Sequence, residues 1–196
     1  TGKPIGARLA QDGPPGVAGF VEPADLAFAP DGKLYVVDSG VHALRRVNFD
    51  KGAANADIET IAGKLEAELP FSDGPGRDVR FKYPVGLLLE ADGHALLMDT
   101  LHFAVRRVGL SAPYPVTTLL GANRPVNLDG PLRKADGSPG ALQDQPYDAA
   151  RAPDGAIWLC EGGSAPIRRI DPDGRSVRSI AGGSVPQKDA IDEPAL

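Results

Sequence analysis

A single cysteine, no long apolar run and no surplus of basic residues set the first limits on this 196-residue sequence. One thiol, Cys160, excludes an intrachain disulfide. It lies in the apolar run Ile157-Trp158-Leu159-Cys160 and reads as a small buried hydrophobe rather than a catalytic nucleophile. No apolar stretch approaches the ~18 residues of a membrane helix, and residues 1–22 do not read as a signal peptide. The start at Thr1 rather than Met reads as a processed or excised segment. The compartment is otherwise open, and an extracytoplasmic one, periplasmic or secreted, is the expectation. A formal net charge of −5 argues against a general phosphate-binding surface and disfavours nucleic acid as a partner. No segment carries a convincing helical period, no G-x-S-x-G elbow occurs, and no Gly-rich loop joins a strand to a helix as phosphate cradles require.

What is present is turn residues and repetition. The 24 Gly and 19 Pro fall mostly between apolar runs, which suits a many-stranded protein and not a disordered one. Pro84 to Val108 reads as an apolar strand, an Asp92-Gly93 turn, a second apolar strand ending in Asp99, a short loop, and a third strand closing on Arg106-Arg107-Val108. The same 25-residue pattern runs without a gap from Pro23 to Val47 and from Pro146 to Ile170. Asp-Gly between apolar runs predicts a hairpin with a type I′ turn, since both residues tolerate positive φ. A fourth strand follows in each copy, ending Thr60-Ile61-Ala62-Gly63, Thr118-Leu119-Leu120-Gly121 and Ser179-Ile180-Ala181-Gly182. Asp12-Gly13-Pro14 and Phe20 match Asp73-Gly74-Pro75 and Phe81 at an offset of 61, so the connection between units also belongs to the repeat.

Four short strands per unit describe a propeller blade, so the expected fold is all-β: a β-propeller with three four-stranded blades out of six. The blade units are expected near 12–63, 73–121 and 135–182, with 183–196 leading into a further blade. Three blades leave open strand edges. The expected partners are therefore the remaining blades of a longer chain or a second copy, a homodimer completing a six-bladed ring.

Leu34-Tyr35-Val36-Val37-Asp38-Ser39-Gly40-Val41-His42-Ala43-Leu44-Arg45 resembles the NHL-repeat family, whose blades carry P-x-G-L-A-x-D-x-x-G-x-L-Y-V-A-D-S-G-N-H-R-I-R and a V-T-T-L-A-G-like strand. The second unit matches through Pro84-Val85-Gly86-Leu87 and Asp99-Thr100, with Phe103 in place of His; the third departs further, with Glu161 for Asp and Ala165 for His. The resemblance implies the propeller fold over essentially the whole chain. For function it implies several possibilities, since NHL propellers serve as protein-binding scaffolds, RNA-binding domains, sensor domains and, in one class, metal-dependent amidating lyases. Fold alone does not choose among them.

Residues repeated in every unit are expected to serve every unit. Asp38, Asp99 and Glu161 should satisfy backbone amides of the following loop or pair with an Arg of the third strand, and Arg45-Arg46, Arg106-Arg107 and Arg168-Arg169 should serve between blades. Departures from the repeat point to function. Strand parity places the long connections 64–83 and 122–145 on one face with His42, His102 and Phe103. That looped face, with Arg124, Asp129, Arg133, Lys134 and Asp136, is the candidate binding surface for a protein partner. His94 starts on the opposite face, which argues against a three-His zinc site. Asp25 and Asp148, matched on the inner strands, could face the central channel and hold a cation, although the second unit has Gly86 there. Ser39 and Ser164 lie in turns without an identifiable base. The expectation is a non-catalytic binding scaffold with no cofactor or metal; the alternative is a lactonase-like or amidating-lyase-like enzyme using Ca²⁺ or Zn²⁺ in the channel.

Overall fold

The three registered copies become three antiparallel sheets. The computed structural model describes residues 11–64, 71–162 and 166–182. In the first sheet, β1 (Pro23–Phe28), β2 (Leu34–Asp38), β3 (Ala43–Asn48) and β4 (Asp57–Gly63) pair in chain order. The second contains β5 (Gly74–Pro75), β6 (Pro84–Leu89), β7 (His94–Asp99), β8 (Ala104–Gly109) and β9 (Pro115–Gly121), in the order β5-β9-β8-β7-β6. The third contains β10 (Gly130–Pro131), β11 (Pro146–Arg151), β12 (Ile157–Glu161), β13 (Ile167–Ile170) and β14 (Ser176–Ala181), in the order β10-β14-β13-β12-β11. The inner strands β1, β6 and β11 contact one another in turn, so the sheets stack as successive blades.

Two features differ from the sequence reading. The Asp-Gly-Pro segment that precedes each unit folds back as its outermost strand: β5 pairs with β9, β10 with β14, and Gly13 bridges Ile58 of β4. The second and third blades thus add a short fifth strand to the four expected, and the first keeps its four strands with a single bridge at Gly13. The hairpin turn is also of another type. Only its glycine has positive φ (Gly32 81°, Gly93 82°, Gly155 88°), and the turn closes from the Gly32 amide to the Ala29 carbonyl at 2.9 Å. Pro30 and Pro153 stand at the second turn position, where their rings fix φ near −65° and make type I′ impossible. The Asp supplies a cap instead, Asp31 Oδ1 accepting from the Lys33 amide and Asp154 Oδ1 from the Ala156 amide.

Strand alternation sends one row of each blade toward each neighbour. In β7, Ala95 and Leu97 pack with Tyr35, Val37 and Leu44 of the first sheet, while Leu96 and Met98 pack with Ile157 and Leu159 of the third. Two apolar clusters, one per junction, are the core.

A polar clasp ties each blade at the end of its second strand. Arg106, fully buried, reaches Asp99 of β7 (3.3 Å) and Asp73 of the Asp-Gly-Pro segment (3.1 Å), and Thr118 of β9 donates to the same Asp73. The first blade repeats this with Arg45, Asp38, Asp12 and Thr60, and the third with Arg168, Glu161, Asp129 and Ser179. The carboxylates also accept amides, but from the segment before the blade rather than the loop after it: Val21 and Glu22 for Asp38, Lys82 for Asp99. The second Arg of each pair meets acids nearer the surface, Arg46 with Glu59, Arg107 with Glu90 and Asp92, Arg169 with Asp154 and Asp171.

Candidate functional site

In the first two blades the loop after the second strand is built from a short 3₁₀ turn, Ser39–Val41 or Thr100–His102, that ends in a left-handed residue, His42 (φ 56°) or Phe103 (φ 52°). The turn carries no glycine at that left-handed position, so the side chain is presented at a conformational cost of roughly 1 kcal/mol. The end of the first long connection touches both loops. The Tyr83 amide donates to His42 Nδ1 at 3.1 Å, and Phe71 meets the His102 ring edge-on at 5.3 Å between centroids.

The face divides into residues spent on structure and residues left free. His102 is buried, held by Asp99 at 3.0 Å, and cannot reach a partner's surface. Phe103 is half-buried, its carbonyl pressed against Gly121, where an added Cβ would lie 2.1 Å away. His42 is half-buried too, and burial holds its imidazole below the usual pKa, against the raising influence of its Ser39 contact. Arg133 turns back to donate to the Thr118 carbonyl of the second sheet. Arg124 and Lys134 remain. They flank a groove of about 250 Å³ whose walls include Ala122, Val126, Leu128 and Leu142. Both are exposed, and neither makes an ion pair or side-chain hydrogen bond among the described residues. Asp136 is capped by Ser138, and Asp129 belongs to the third clasp.

The channel candidates separate. Asp25 accepts from its neighbour Leu26 at 2.7 Å and from Leu87 of the second sheet at 2.8 Å, so both oxygens carry backbone amides. Asp148 is exposed, with one oxygen on the Ala149 amide at 2.7 Å. Gly86 stands between them because the Tyr147 carbonyl lies 2.2 Å from where its Cβ would be. His94 pairs with Asp92 at the opposite end of β7 from His102. Among the described residues no three His, Cys, Asp or Glu side chains gather in a way that could hold a metal ion. Cys160 is half-buried rather than buried, because no sheet among the described residues packs on its side of β12. Ser164 and Ala165 lie outside the described residues.

The sheet order and the stacking of inner strands decide the architecture. The fold is a partial β-propeller. Known structures agree. A protein of unknown function from Bacteroides thetaiotaomicron superposes with a TM-score of 0.59 at 20% identity, over 78% of this chain and 34% of that one. A luciferin-regenerating enzyme superposes with a TM-score of 0.54 at 13% identity, over 87% of this chain and 50% of that one. An auxiliary nutrient binding protein, also from Bacteroides thetaiotaomicron, gives 0.50 at 16% identity, over 78% and 36%. No family model matches the chain. Among curated proteins it is similar to the chloroplastic protein SUPPRESSOR OF QUENCHING 1 of Arabidopsis thaliana, 24% identical over 160 residues that make up 80% of this chain and 14% of that one. The chain therefore spans from about a seventh to half of these relatives. No helix among the described residues is long and apolar enough to cross a membrane.

Proposed function

We propose that this propeller segment is an NHL-type protein-interaction scaffold that binds through its looped face, with the groove between Arg124 and Lys134 as the point of contact. The observation that carries the reading is that pair of exposed cations over an apolar floor, on a chain whose net charge is −5. The repeated Arg residues of the sheets are committed to acids, whereas these two cations make no salt bridge among the described residues. At about 250 Å³ the groove falls below the ~300–1,000 Å³ of small-molecule pockets and suits an aliphatic side chain beside an acidic one on a protein partner. Its place on a long connection between rigid sheets is where binding residues gather. The solved neighbours include both a binding protein and an enzyme, so fold does not choose between scaffold and catalyst. The channel-enzyme alternative has no comparable support, since both oxygens of Asp25 already accept amides.

The test compares proteins captured by the wild-type chain, by Arg124→Glu/Lys134→Glu, and by Lys33→Glu/Lys51→Glu as a charge-matched control on the first sheet, away from the groove. Each captured protein is purified and titrated calorimetrically. The expected result is affinity at least about tenfold weaker for the groove variant and unchanged for the control, in line with ~1.4 kcal/mol for a lost charge contact. A partner that binds wild type and groove variant equally would remove the groove from the interface.

A further inference from the structure

The third sheet repeats the second position by position, yet one of its faces is bare. Trp158, Cys160 and Ile167 stand where the second sheet has Leu96, Met98 and Val105 and the first has Tyr35, Val37 and Leu44, at offsets of 62 and 61. Those six are at most 1% exposed, because each faces the following sheet. Ile167 is 40% exposed, Trp158 and Cys160 are half-buried, and the three line a shallow apolar depression with Asp148 and Ala149.

Asp148 gives that face its specificity. It occupies the position of Asp25, and Asp25 shows what the position does: Oδ1 takes its own neighbour's amide, while Oδ2 crosses to the next sheet and accepts from Leu87 at 2.8 Å. Asp148 repeats the first half, Oδ1 to the Ala149 amide at 2.7 Å, and its other oxygen makes no hydrogen bond among the described residues. A second link between sheets is a hydroxyl, Ser39 donating to the Pro84 carbonyl and Thr100 to the Pro146 carbonyl at 2.7 Å. The third sheet has Gly162 there, with the Tyr147 ring 2.3 Å from where a Cβ would stand. Of the two links, Asp148 alone is left to join whatever follows.

We infer that this face receives a further blade of the same repeat, whose inner-strand amide donates to the free oxygen of Asp148 and whose residue just before that amide is not acidic. The second condition follows from proton counting, since an N–H has one proton to give. Where Asp25 reaches across, the receiving sheet has Gly86, which leaves the Leu87 amide unclaimed. Where the receiving sheet has its own acid, Asp148, the preceding sheet has Gly86 and asks nothing of the Ala149 amide. A second copy of this chain would offer its first sheet, whose Leu26 amide is already taken by Asp25. Two carboxylates would then converge on one amide, so a homodimer is the wrong occupant.

Cys160, the sole cysteine, reports on the face directly. The 196-residue chain should run as a monomer of 20.4 kDa by light scattering, with Cys160 alkylated readily by iodoacetamide under native conditions. An extended chain, with residues 64–121 repeated after Gly182, presents a blade that has glycine at the required position. There Cys160 should label at least tenfold more slowly, and both Asp148→Ala and an appended-copy Gly86→Asp should restore labelling. Asp148→Ala in the 196-residue chain should leave labelling and melting temperature unchanged. A 196-residue dimer with Cys160 protected would overturn the inference. So would an extended chain that labels at the original rate, whether monomeric or aggregated.

Discussion

The second and third sheets place the same arginine in the same clasp and give it different counter-charges. Arg106 meets Asp99, which also accepts the Lys82 amide at 2.6 Å and holds His102 at 3.0 Å, so that buried carboxylate is surrounded by donors. Arg168 lies 3.6 Å from Glu161, whose Oε2 has no hydrogen-bond partner among the described residues, and turns to the carbonyls of Leu142 (2.6 Å) and Leu128 (2.8 Å) and to Asp129. The extra methylene of Glu161 is accommodated by Gln143, whose side-chain amide reaches Glu161 Oε1 at 2.5 Å. The comparison teaches that the arginine, joining the Asp-Gly-Pro strand to the body of the blade, is the fixed part. The acid at the end of the second strand matters in proportion to how many donors surround it.

The comparison breaks most sharply at those acids. Asp99→Asn removes the buried one of the two carboxylates that meet Arg106, leaving the partly exposed Asp73, and is expected to cost about 3–5 kcal/mol in urea unfolding, the range for breaking a buried ion pair. Glu161→Gln keeps the shape beside an arginine already served by two carbonyls, and should cost roughly 1 kcal/mol or less, about one net hydrogen bond. Equal costs would show that the third clasp leans on its carboxylate as the second does.

A smaller effect separates the enclosed face from the bare one. Met98→Ala empties a site at 0% exposure between two sheets and should cost ~2–5 kcal/mol. Cys160→Ala, at the same position in the third sheet, should cost under ~1 kcal/mol, since the side chain is already partly exposed and little cavity forms. Thermal unfolding of both variants decides it. A Cys160→Ala cost as large as that of Met98→Ala would mean the third face is covered.

These contrasts show which parts of the molecule a sequence can express. Three copies in register make the strands, the hairpins and the alternating core readable, because a pattern repeated three times has one explanation in common. The turn type was misread from Asp-Gly alone; Pro30 and Pro153, one residue earlier, forbid the positive φ that type I′ needs at that point. The fifth strand was hidden because Gly-Pro is a weak strand signal, although the repetition of Asp-Gly-Pro was plain. Burial was not readable from strand parity. His102 and Arg124 read alike in the sequence, but only packing against Phe71 and Asp99 shows that the first is enclosed. The groove was illegible for a different reason: apart from Asp129-Gly130-Pro131, residues 122–142 occur once, so no second copy marks which of their side chains turn inward.

The smallest expected effect is a dependence on pH, and it sharpens the contrast between the two acids. Burial pushes the Glu161 carboxyl above its ordinary value of 4.5, against the opposing pull of Arg168. A raised acid is costly while ionised, so at neutral pH Glu161 subtracts from stability, and that cost is relieved as pH falls through the raised value. Glu161→Gln has no proton to gain there. The stability difference, Gln variant minus wild type, should therefore shift in favour of wild type as pH is lowered from 7 toward 4.5. His42, held below its ordinary 6.5 mainly by burial, acts in the opposite sense: the unfolded chain takes up a proton below 6.5 that the folded one refuses, so stability falls. The His42 contribution is common to wild type and Glu161→Gln, and subtraction removes it. A flat difference between the two proteins across that window would mean that Glu161 is as well solvated by its neighbours as an unfolded carboxylate, and that the third clasp differs from the second in geometry alone.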